Sequence, residues 1–270
     1  MRIFDPHIHM TSRTTDDYER MAAAGVRAVV EPAFWLGQPR TSVDTFVDYF
    51  DSLLGWEPFR AGQFGVRHHA TVALNPREAN DPRCHPVLDV LPRYLDKDGV
   101  VAVGEIGYDS MTPAEDAAFA GQLALAVAHD LPALVHTPLR DKARGVERTL
   151  AVVAESGIDP GRVLVDHLNE VTVRLVRDTG CWLGFSIYAE TMTPPRMVEL
   201  LRAYGTERML VNSSADWGRS DPLLTRATGE AMLLAGFTED DVDRVLWRNP
   251  VEFYGQSGRL DLADLAGPRV

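Results

Sequence analysis

The 270-residue sequence is short of several things, and each shortage removes a class of protein. Cysteine is scarce: Cys84 and Cys181 are the only two, far apart and with no CxxC spacing. That argues against a disulfide framework and a thiolate zinc knuckle, and leaves two reduced, buried thiols as the expectation. No run approaches the roughly 18 consecutive apolar residues of a membrane span. The opening MRIFDPHIHM lacks the apolar stretch of a signal peptide, so a cytoplasmic protein is expected. Basic residues are also in deficit, 27 Lys plus Arg against 39 Asp plus Glu, for a net charge of −12. Such a surface repels polyanions, which need Lys and Arg to neutralise phosphates. Nucleic acid and membrane are therefore not the expected partners; a small-molecule substrate is. No low-complexity segment and no linker rich in Gly, Ser or Pro divides the chain, so residues 1–270 read as a single domain.

What is present is alternation. Short β-type runs at 2–10, 26–33, 66–74, 100–108, 133–137, 162–167, 181–188 and 208–213 are separated by amphipathic or capped helical stretches. Helices are predicted at 15–24, 42–54, 86–95, 113–130, 142–156, 170–179, 194–204 and 222–235. Thr238 and Asn249 open two more near the end. The helix from 113 carries Thr112 as N-cap, Pro113 as N1 and Glu115 as N3, a capping-box arrangement. Strand alternating with helix implies a parallel sheet. Eight such units in about 255 residues suit a closed α/β (β/α)8 TIM barrel. The open doubly wound rival lacks a GxGxxG after its first strand.

In a parallel barrel the chemistry sits at the C-terminal ends of the strands, and polar residues collect there. The first predicted strand ends in Asp5, His7 and His9, the fourth in Gly104-Glu105-Ile106-Gly107, the fifth in His136 and the sixth in Asp166-His167. The eighth leads through Asn212-Ser213-Ser214-Ala215 to Asp216. Imidazoles and carboxylates without thiolate suit a catalytic, water-bearing site for Zn²⁺ or Mn²⁺, with Mg²⁺ the remaining choice. The expected ligands are His7, His9, Glu105, His136, His167 and Asp216, more than one tetrahedral ion needs. Two ions sharing a carboxylate and a water would use them all. Each residue also has a plain reading: His136 as a core histidine, Glu105 as a buried acid held by the next helix, Asp216 as the start of a turn. His7 and His9 resist it, because two imidazoles on one face are costly to desolvate unless something uses them.

Other candidates are weaker. His68 and His69 stand at the entry end of a strand, where at least one should be structural. Glu31 and Glu190 could face substrate or merely brace the fold. Trp35, Trp217, Tyr108 and Tyr188 could line the mouth or pack its loops.

With these residues in view, the sequence resembles the TatD-like metal-dependent hydrolases of the amidohydrolase superfamily. FDPHIHM is similar to the family's D-x-H-x-H opening, and VGEIGYD to its G-E-I-G-L-D motif. VDHLNE falls where the family has its sixth-strand histidine, and RNPVEFYG resembles its C-terminal helix. The resemblance implies that His7 and His9 bind one ion, Glu105 bridges two, and His136 and His167 serve the second. It also implies that the acid after strand eight binds the first ion and takes the proton of the attacking water, so Asp216 and Glu105 stand as the catalytic pair.

Three departures stand out. The family's E-T-D at strand eight is replaced by Asn212-Ser213-Ser214, with Asp216 two residues later. Its G-x-H-P after strand three reads Ala73-Leu74-Asn75-Pro76. Its H-x-R after strand five is stretched to His136-Thr137-Pro138-Leu139-Arg140. Asn75 and Arg140 are thus the substrate-side candidates, with Lys142 beside Arg140. The last two changes fall where family members meet phosphate. With the negative charge, they favour an ester, amide, lactone or phosphoester of a small molecule over the DNA cleaved by some relatives. The chain also looks like a TatD-like branch encoded in specialised-metabolite gene clusters. Metal-dependent DNase, a lyase or isomerase on the same barrel, and a catalytically silent binding protein remain the alternatives.

Overall fold

The computed structural model describes residues 1–35, 37 and 40–262; residues 263–270 of the expected single domain lie outside the described residues. Eight parallel strands pair in sequence order. They are β1 (Ile3–Asp5), β2 (Val26–Pro32), β3 (Arg67–Val72), β4 (Val100–Gly107), β5 (Ala133–His136), β6 (Val163–Val165), β7 (Trp182–Ser186) and β8 (Met209–Asn212). The loops past β1 and β8 bring the two ends of the sheet together: Ser214 N donates to His7 O at 2.8 Å and His9 N to Ala215 O at 2.9 Å. The fold is a (β/α)8 TIM barrel.

Its helices are α1 (Thr15–Ala23), α2 (Val43–Asp51), α3 (Glu57–Gly62), α4 (Leu91–Leu95), α5 (Pro113–Ala128), α6 (Lys142–Ser156), α7 (Val173–Val176), α8 (Pro194–Tyr204), α9 (Leu224–Leu234), α10 (Glu239–Asp243) and α11 (Asn249–Gly255). Among the described residues no helix is long and apolar enough to cross a membrane. Two apolar layers follow from the strand alternation. Phe4, Ala28, Val30, Ala102, Leu134, Leu164, Trp182 and Leu210 gather in one cluster, against Phe253 and Tyr254 of α11. Most of the other apolar strand residues, Val29, Val72, Val103, Val135, Val165 and Val211 among them, belong to the larger cluster shared with the helices. Tyr254 donates its hydroxyl to Pro6 O at 2.7 Å, tying α11 to the first strand's exit.

Several expectations shift in detail. The first strand stops at Asp5, because Pro6 has no amide to continue the ladder. The chain bends at Pro6 and His7 but keeps to the seam, with Ile8 N bonded to Val30 O on one side and His9 N to Ala215 O on the other. At α5, Thr112 caps as expected by accepting from Glu115 N. The Glu115 carboxylate, however, turns to the amides of Ser110 and Met111 rather than back to the cap. The reciprocal capping box belongs instead to Thr238 and Asp241 at α10. The single helix expected at 42–54 becomes α2, a wider turn over Ser52–Trp56, and α3.

Candidate metal centre

At the C-terminal mouth of the barrel, one carboxylate oxygen is the meeting point. Glu105 Oε1 lies 3.2 Å from His7 Nε2, 3.4 Å from His167 Nε2 and 3.5 Å from His136 Nδ1. His9 Nε2 is 3.1 Å from His7 Nε2. Five of the six expected ligands are therefore brought together from β1, β4, β5 and β6.

The chain bends its own rules to achieve this. Gly104 faces the barrel interior, where an added Cβ would stand 2.7 Å from Leu134 Cβ. Strict alternation would then send Glu105 outward. The β4–β5 pairing skips Glu105, matching Gly104 to Leu134 and Ile106 to Val135. Such a bulge re-aims a side chain. Gly107 then takes φ +117, and a Cβ there would meet His136 O at 2.4 Å, so only glycine lets β4 pass the fifth-strand histidine. On β6 the device differs. Asp166 faces inward, and His167 adopts φ +59, which turns the next side chain to the same mouth.

Three of the four rings are held from behind. His7 Nδ1 lies 2.6 Å from Asp166 Oδ2, and both side chains are fully buried. His167 Nδ1 bonds Ser186 Oγ at 2.7 Å. His9 stacks on Phe34 with ring centroids 4.0 Å apart. Glu105 Oε2 accepts from Asn75 Nδ2 at 3.0 Å. His136 and His167 keep 21% and 12% of their side chains exposed, so the cluster opens to solvent on their side.

Charge is arranged as tightly as geometry. Burial would raise Glu105, but the charge of His7 and the neighbouring imidazoles outweigh it and hold the carboxyl well below its usual range. Burial opposes protonation of His7, yet Glu105 and Asp166 together raise it. Burial, then the charge of His7, pushes His9 down to about 3. Burial alone drives Asp5 up to about 7 against its hydrogen bonds.

A divalent cation fits these residues. Among the described residues no Lys or Arg forms an ion pair with Glu105 or Asp166. His136 Nδ1 is buried without a hydrogen-bond partner. A proton held at Nδ1 of His7 by Asp166 leaves the Nε2 lone pair facing a carboxylate oxygen and another imidazole. Acceptors pointed at acceptors in a buried site are a donor set for a cation.

The remaining expected residues sit elsewhere. Asp216 does not join the cluster. Its Oδ1 accepts from Gly218 N at 2.7 Å and from Ser220 Oγ at 3.2 Å, the plain turn-starting role. With β8 ending in Asn212, the described residues offer no strand-eight carboxylate to the centre. Asn75 is 4% exposed and its amide is taken by Glu105, which places it behind that carboxylate. Arg140 is exposed on the loop after β5, without a hydrogen-bond or ion-pair partner among the described residues. Asp5 accepts from the amides of His7 and Ser213, so it fixes the backbone that carries His7.

A family model described as TatD related DNase matches residues 4–255. The chain belongs to the TatD family. Membership makes this TatD-family chain a hydrolase. A relative from Methanocaldococcus jannaschii, named an uncharacterised metal-dependent hydrolase, is 28% identical over 256 residues, covering 93% of this chain and 99% of its own. The crystal structure of a TatD-like protein from Archaeoglobus fulgidus is 26% identical, covers 93% of this chain and 99% of that one, and superposes with a TM-score of 0.79. The phosphotriesterase homology protein of Escherichia coli, solved with phosphate in its active site, shares the fold at 17% identity and a TM-score of 0.67.

Two residues of the TatD centre carried more than the sequence reading assigned them. Ser186 and Asn212 close the outer bonds of His167 and Asp166. The only signal for either was its place at a strand's C-terminal end.

Proposed function

We propose that this TatD-family hydrolase holds one or two divalent cations, Zn²⁺ first among them, on His7, His9, Glu105, His136 and His167. The observation that supports this is the convergence of three imidazole nitrogens on Glu105 Oε1 with no side-chain cation to answer it. When bound, such ions lower the pKa of a coordinated water from ~15.7 towards ~7 and polarise the scissile oxygen. The chain's part is positioning. Asn75 and Ser186 hold the Glu105 carboxylate and the His167 ring, so neither must reorganise as charge develops. The solvent-facing edges of His136 and His167 mark the side from which substrate enters.

The substrate we favour is a small-molecule ester, amide, lactone or phosphoester, on the strength of the −12 charge and the displaced Arg140. The family description gives a second reading, cleavage of DNA. Two unpaired buried thiols, Cys84 and Cys181, suit a reducing cytoplasmic setting. The test is metal content of the purified protein, followed by a panel of esterase, amidase, phosphodiesterase and single-stranded DNA substrates in ¹⁸O-labelled water. Label entering a small-molecule product supports the reading. Metal-dependent turnover without label in any product overturns hydrolysis, and brisk turnover of DNA alone overturns the substrate class.

A further inference from the structure

We infer that Asp166 is the positioning residue of the centre, fixing the ring and tautomer of His7, and that Asn212 at the end of strand eight serves this carboxylate rather than the metal. The inference rests on the metal-site reading above and adds to it a residue outside the expected ligand set.

Three neighbouring strands are shaped around this one carboxylate. On β7, Gly184 leaves the space that Asp166 fills, since an added Cβ would stand 2.2 Å from Asp166 Oδ1. On β8, Asn212 Nδ2 donates to both carboxylate oxygens, at 3.0 and 3.1 Å. On β5, Val135 O accepts from Asp166 N at 2.8 Å, and Thr137 Oγ1 donates to Asp166 O at 2.7 Å. His167 N adds a bond to Oδ1 at 2.7 Å. Asp166 Oδ2 faces His7 Nδ1 at 2.6 Å.

The consequence follows from imidazole chemistry. An ionised carboxylate against Nδ1 keeps a proton there, so the neutral ring presents its lone pair at Nε2, the atom facing Glu105 and His9. Both oxygens of Asp166 are already committed to Asn212, His167 and His7. It therefore acts through His7 rather than as a ligand in its own right. An aspartate or glutamate at position 212 would set a second carboxylate beside Asp166 in a buried site, and the Asn212 amide avoids that repulsion.

The experiment measures Zn²⁺ affinity by chelator competition, together with the ¹⁵N shifts of the His7 ring. It compares the wild type with Asp166→Asn, Gly184→Ala and Asp216→Ala. Gly184→Ala crowds Asp166 without altering it, and so covers the case in which the Asp166 variant fails to fold. The expected result is a roughly 10–100-fold weaker affinity in the first two variants, with His7 losing its fixed Nδ1–H tautomer. Asp216→Ala should bind within about twofold of wild type, as a half-buried turn residue outside the cluster would. Wild-type affinity with an unchanged His7 tautomer in a folded Asp166 or Gly184 variant overturns the inference while leaving the metal site intact. So does a loss in Asp216→Ala that matches theirs. A wild type that binds no Zn²⁺ overturns the metal-site reading itself.

Discussion

Two buried clusters in this molecule are built from the same residue types and do different things. At the mouth, Glu105 and Asp166 meet His7, His9, His136 and His167. In the layer between barrel and helices, Glu31 and Glu57 meet His68 with ligand-type atoms within 4.8 Å of one another. Composition alone would make both metal sites. The difference lies in how the acceptors are filled. Glu31 takes the amide and hydroxyl of Thr11 at 2.7 and 2.8 Å and faces His68 Nε2 at 2.8 Å. Glu57 takes Tyr18 Oη–H at 3.2 Å and the Arg60 guanidinium at 2.8 Å. Arg60 also donates to Met10 O and Arg13 O, so this second cluster braces the segment that follows His9. The Arg60 guanidinium answers the Glu57 carboxylate there, and His68 Nδ1 is the atom left without a hydrogen-bond partner. The mouth has no such cation among the described residues. What sets the mouth apart as the candidate metal centre is a buried carboxylate with no side-chain cation to answer it, not the count of acids and histidines.

The largest way to break the comparison is at its hub. Glu105→Gln should strip the metal and take turnover to background, while Glu31→Gln should leave the metal-to-protein ratio of wild type; elemental analysis with a turnover assay reads both. Next comes Arg60→Met, which strands the Glu57 carboxylate. Breaking a buried pair from one side costs about 3 kcal/mol, so urea unfolding should show a loss near that size with metal content unchanged. Glu31→Gln itself should cost about 1–2 kcal/mol, the scale of a charge-assisted hydrogen bond given up at Thr11, read in the same unfolding assay.

A third site, Glu78 with Arg40, sharpens the rule through pH rather than through metal content. Burial pushes Glu78 up to about 7 despite that arginine. The folded protein then binds more protons than the unfolded chain between about pH 4.5 and 7, so this group's contribution to stability falls as pH rises through that window. Urea midpoints at about pH 5 and about pH 8 should show wild type losing ground to Glu78→Gln at the higher pH.

The barrel was legible in the sequence because period and punctuation agree. β-type runs alternate with helices opened by Thr112 and Thr238, and the polar residues collect at one end of several runs. The family was legible for the same reason, as was the clustering of five of the six candidate side chains. What alternation could not show is where it is broken. Glu105 reaches the interior through a bulge, and Asp166 and His167 face one mouth only because His167 takes a left-handed conformation. A reader of strand periodicity must choose between neighbours in both cases. Asp216 went astray for the opposite reason: a carboxylate two residues past the expected place looked like a displaced ligand, and local turn bonds with Gly218 and Ser220 claimed it. Asn75 was taken for a substrate contact because sequence shows a residue's neighbours along the chain, not the Glu105 carboxylate across the barrel that occupies its amide.

The seam between the first and last strands has a consequence for timing. His7 O and His9 N are secured by Ser214 and Ala215, and Asp5 by the amide of Ser213. These partners are made more than two hundred residues later. During synthesis the two leading histidines emerge first and wait. The pocket that fixes them closes only when strand eight has left the ribosome, so a truncated or stalled chain carries the motif without its grip.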